Sequence, residues 1–104
     1  MHTFFDGTIS YNVLPGGCPK RDYELSTRLS DGAPSPSIFD LDRLQAKSRN
    51  TLDMEHDGRG NLTIRQRVVA HGPESACKQA WMLQMQLYAY TGLKVNIARG
   101  ICPA

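Results

Sequence analysis

The sequence has no C-x-x-C pair, no G-x-x-x-x-G-K, no G-x-S-x-G and no H-E-x-x-H. Those absences exclude the usual zinc spacing, the phosphate-cradling loop, the nucleophile elbow and the metalloprotease helix. Long apolar runs are missing too: nothing approaches the roughly 18 consecutive apolar residues of a membrane helix. The opening "MHTFFDGTISYN" has no basic stretch followed by an apolar one, so it does not resemble a secretory signal. Charge of one sign is scarce. Twelve basic and ten acidic residues leave a formal net charge of +2, far from the strong basic surplus of most nucleic-acid-binding domains. Cysteine is sparse, with Cys18, Cys77 and Cys102 at long spacings. An odd, scattered set fits free thiols in a reducing compartment, and a cytoplasmic location is expected; the alternative is a Cys18–Cys102 bridge.

What is present is a single domain's worth of chain, 104 residues, with clear periodicities. Residues 3–14 alternate, with Phe5, Ile9, Tyr11 and Val13 on one face, and Gly7 marks a candidate bulge. After the breaker-rich "PGGCPK", residues 21–29 alternate again, with Tyr23, Leu25, Thr27 and Leu29 inward. The two segments predict a hairpin. Ser37 and Asp40 resemble a capping box ahead of Ile38, Leu41 and Leu44, which recur at helical spacing and predict a short helix over 37–48. Residues 51–72 predict a second hairpin around "DGRG". If His56 faces Leu62 there, Asp53 faces Arg65 and Thr51 faces Arg67, a register that opposite charges favour. Pro73 and Glu74 suit a helix start and Gly92 suits its end. Residues 93–101 alternate as a last strand, with Leu93, Val95, Ile97 and Ile101 on one face. The expected fold is therefore α+β: an antiparallel sheet of about five strands with one long and one short helix, in the order ββαββαβ.

The long helix, "ACKQAWMLQMQLYAYTG", carries more apolar surface than a fold of this size needs. Leu83, Ala76, Leu87 and Ala80 make one stripe at 100° per residue; Cys77, Trp81, Met85 and Tyr88 make a second beside it, with Gln84 between. Together they span about twice the ~100° arc that covers a sheet. Two explanations compete. In one, the helix is sandwiched between the sheet and the first helix, and both stripes are core. In the other, Trp81, Met85 and Tyr88 are exposed and bind a partner protein or a second copy of the chain, because Trp, Tyr and Met concentrate at interfaces.

Other candidate chemistry is thinner. Arg65, Arg67 and His71 share the outward face of their strand and, with Arg99 or Lys94, would make a phosphate-binding stripe for RNA or DNA; ion pairing with Asp53 and Glu55 is the competing account. Residues 61–84 are similar to the strand–helix end of double-stranded RNA-binding domains, but the basic pair of that family is replaced by Pro73, Glu74, Ser75 and Ala76, so its function does not carry over. Cys77 in an early helical turn, with His71 upstream, makes the one conceivable nucleophile pair, but no third group or oxyanion loop accompanies it. Asp40 and Asp42 point to different sides of their helix, and His2 and His56 stand alone. No catalytic residue, metal site or cofactor is expected, and no membrane partner.

In size, in the ββαββαβ order and in its lone aromatic-rich helix, the chain resembles the small phage-encoded inhibitor proteins, anti-CRISPR proteins among them. That group has no common motif, so no residue role is transferred. The resemblance implies a non-enzymatic protein that blocks a host protein complex by occupying its surface. Trp81, Met85 and Tyr88 would be the anchors, with Arg65 and Arg67 either a polar rim or a merely solubilising pair.

Overall fold

Two hairpins, two helices and a short return strand make up the computed structural model, which describes residues 5–14, 22–29, 33, 36–48, 51–56, 61–69 and 73–102. The elements follow in the order β1 (Gly7–Val13), β2 (Asp22–Leu29), α1 (Ile38–Lys47), β3 (Leu52–His56), β4 (Leu62–Val69), α2 (Pro73–Thr91) and β5 (Val95–Ile97). This is the α+β arrangement that the periodicities predict.

Both hairpins form. In the second, Asp53 stands opposite Arg65 and His56 opposite Leu62, the register that cross-strand charge pairing favours. β2 and β4 join the hairpins, giving the strand order β3-β4-β2-β1-β5. One pairing departs from the all-antiparallel expectation: β5 runs parallel to β1. The cause is α2. The chain leaves β4, crosses one face of the sheet as a helix and returns in the direction of β4, as a βαβ connection does.

The core lies between the helices and the inward side chains of the strands. Tyr23, Leu25, Thr27 and Leu29 of β2 are all buried, as are Leu62, Ile64, Gln66 and Val68 of β4. They meet Leu41 and Leu44 of α1 and Ala76, Ala80, Leu83 and Leu87 of α2 in one cluster. The Gln66 amide is satisfied by the Ser48 hydroxyl at 3.0 Å. The Thr27 hydroxyl, fully buried, has no hydrogen-bond partner among the described residues. The period-two pattern of β1 fails at its ends. Ile9 is buried, but Phe5 precedes the strand, Val13 is its last residue, and both are exposed. Gly7 is not a bulge. It keeps regular register opposite Leu29 and Val95, and a Cβ there would collide with the carbonyl of Arg28.

The helix ends follow their local chemistry. The Ser37 hydroxyl accepts the Asp40 N–H at 3.1 Å and caps α1. Gly92 closes α2 at φ 75°, where its N–H reaches the Tyr88 carbonyl at 3.0 Å. The chain then turns into β5.

The cysteines overturn an expectation. Cys77 and Cys102 form a disulfide with Cα atoms 4.8 Å apart, so they are not free thiols, and Cys102 is not paired with Cys18, which lies outside the described residues. Long spacing hid the pair: 25 residues of helix and strand double back and bring Cys102 beside the second turn of α2. Because disulfides persist mainly in oxidising surroundings, the cysteines no longer argue for the cytoplasm. Among the described residues, no helix is long and apolar enough to cross a membrane.

Candidate partner-binding site

α2 presents its two apolar stripes to different surroundings. Leu83 and Leu87, with Ala76 and Ala80, face the sheet and are buried. Trp81, Met85 and Tyr88, at i, i+4 and i+7, face away from it and are 51%, 67% and 57% exposed. The sandwich explanation therefore fails. α1 packs alongside α2 rather than over it, and its contact runs through the flank on which Arg43 of α1 stacks on the Tyr90 ring at 5.5 Å. Among the described residues, nothing covers the Trp81 stripe.

That stripe borders a furrow between α2 and β5. Helix and strand are joined by only three residues, so they run antiparallel and side by side. Gln84, between the two stripes, spans the furrow: its amide donates to the Val95 carbonyl at 2.6 Å. The strut divides the furrow into two hollows. One, of about 370 Å³, is walled by Phe5, Met85, Tyr88, Leu93, Lys94 and Val95. The other, of about 260 Å³, is walled by Trp81, Asn96, Ile97, Ala98, Arg99 and Cys102. Its far wall is tied down twice, by the Cys77–Cys102 bridge and by Ile101, which a turn at Gly100 (φ 92°) drops into the core.

β5 is an edge strand, yet its outward backbone is partly occupied. Gln84 takes the Val95 carbonyl, and the Asn96 side-chain oxygen accepts the Ile97 N–H at 3.0 Å. With three residues and these side-chain caps, the edge is a poor template for an added strand. The furrow offers side-chain surface instead.

Arg65 and Arg67 do not belong to this site. Strand alternation places them on the open face of the sheet, opposite the helices, so they cannot rim the Trp81 stripe. They are not continuous with Lys94 and Arg99 either, because β2 and β1 separate β4 from β5 by three strand spacings, about 14 Å. Arg65 is engaged by Glu55 at 2.6 Å and approaches Glu24 at 4.0 Å. The hydrogen bond that the guanidinium donates to the Glu55 carboxylate raises its pKa above the ordinary value. Arg67 sits across from Glu24 in the ladder. This is the solvated, cross-paired sheet face that the acidic neighbours Asp53 and Glu55 suggest.

The nucleophile reading of Cys77 fails because its sulfur is in the disulfide; His71, its proposed partner, and His2 lie outside the described residues. Among the described residues no three His, Cys, Asp or Glu side chains come together as a metal site. Phe5, Lys94 and Arg99 were not foreseen as neighbours of the stripe. The signal for two of them was present, since a helix ending at Gly92 and a strand starting at Val95 must lay Lys94 and Arg99 back along the helix. Comparison with protein-family models, curated proteins and solved structures returns no match.

Proposed function

We propose that this chain is a non-enzymatic binding protein that acts by occupying the surface of a partner protein complex, as small phage-type inhibitors do. The observation that carries this reading is the exposure of Trp81, Met85 and Tyr88 in a row on a helix whose other stripe already supplies the core. A tryptophan, a tyrosine and a methionine held on a rigid helix beside two hollows are the residue types that anchor protein interfaces. The rival nucleic-acid reading has less support, because Arg65 is already neutralised by carboxylates.

The test is site-specific photo-crosslinking in the cells that express the protein. A benzophenone side chain at Met85 is expected to give a discrete protein adduct that the same group at Arg67 does not. Equal labelling from both positions, or none from Met85, would remove the reading.

A further inference from the structure

The furrow also states something about the partner's chemistry, on the premise that the Trp81 stripe is the binding surface. Its walls are apolar, but its charged groups are mostly of one sign. Lys94 stands at the mouth of the larger hollow and Arg99 in the wall of the smaller one. Lys78 lies one turn before Trp81 on the same exposed line of the helix. All three side chains are exposed, and none has a carboxylate within ion-pair distance among the described residues. The nearby Asp6 carboxylate is already taken by the Lys94 backbone N–H at 2.8 Å. Glu74 lies a further turn towards the helix start.

On the open sheet face, by contrast, Arg65 has two carboxylate neighbours. The backbone of Arg99 is held by the short parallel contact Arg99↔Cys102, next to the Cys77–Cys102 bridge.

We infer that the α2–β5 furrow binds a protein segment that places large apolar side chains in the two hollows and carries Asp or Glu to meet Lys94 and Arg99. The apolar anchors supply most of the affinity, and the carboxylates set orientation and on-rate. Because the edge of β5 is capped, the segment is recognised by its side chains and not by strand addition.

The probe is a random 16-residue peptide library, selected against the intact, oxidised protein. Selected peptides are expected to combine aromatic or aliphatic anchors with an excess of Asp and Glu. Their affinity should fall about tenfold between low and physiological salt. It should be lost in Met85→Asp, and fall about tenfold in Lys94→Glu/Arg99→Glu. Peptides with the acids exchanged for Lys should prefer that charge-reversed variant. Binding that needs Met85 but ignores salt and charge reversal would overturn the acidic-segment inference and leave the stripe as a binding surface. Peptides that bind independently of Met85 would overturn both. Phosphatidylglycerol vesicles serve as the second probe. Met85-dependent flotation with those vesicles, without peptide enrichment, would overturn the inference in favour of a lipid surface.

Discussion

Leu83 and Leu87 differ little in chemistry from Met85, and all three sit within two turns of the same helix. Yet the leucines are closed off by the sheet and the methionine is two-thirds exposed. The difference lies in what the rest of the chain brings to each side. Five strands and α1 converge on one stripe; on the other, β5 comes close enough to be tied by Gln84 but stops short of covering it. Apolar character alone does not say which stripe is core. The geometry of the crossover decides it.

The comparison can be broken most forcefully from the buried side. Leu87→Ala should cost about 2–5 kcal/mol, because it opens a cavity in a packed core. Chemical denaturation would show this as a lower midpoint at constant slope. Next in size is the bridge at the furrow's end. Replacing Cys77 and Cys102 together by alanine should cost about 3.5 kcal/mol, the chain-entropy value for a loop of this length. Thiol titration of the denatured protein before reduction is expected to find only Cys18, and all three cysteines after reduction.

Two smaller effects sharpen the comparison. Thr27→Val removes a buried hydroxyl that has no partner and keeps the side-chain shape. It should raise stability by about 1 kcal/mol, a melting shift of roughly 4–8 °C upward. Arg65→Ala, by contrast, breaks an exposed ion pair and should change stability by no more than about 1 kcal/mol, with the difference shrinking as salt rises.

Much of this was legible in the chain itself. Strict alternation exposed the inward set of β2. Ser37 and Gly92 announced a helix start and a helix end, and Asp53 opposite Arg65 followed from charge. These features depend on neighbours close in sequence or directly across a hairpin. The parallel placement of β5, the Cys77–Cys102 bridge and the gathering of Phe5, Lys94 and Arg99 around the Trp81 stripe depend on how α2 crosses the sheet. No local period encodes that crossing. For the same reason Arg65 and Arg67, correctly outward by alternation, were wrongly joined to the helix surface: alternation assigns a face but not the distance between faces.

The most direct test of the two-stripe account is Met85→Asp, followed by a thermal melt and by molar mass from light scattering over a range of concentrations. A charge at a site two-thirds exposed should leave a folded protein that melts within a few degrees of the unsubstituted one, because surface changes usually stay within about 0.5 kcal/mol. Both proteins should have the mass of a single chain throughout. A variant that fails to fold would show that the stripe is core. An unsubstituted protein that doubles its mass, and a variant that does not, would show that the stripe serves a second copy of the chain rather than a foreign partner.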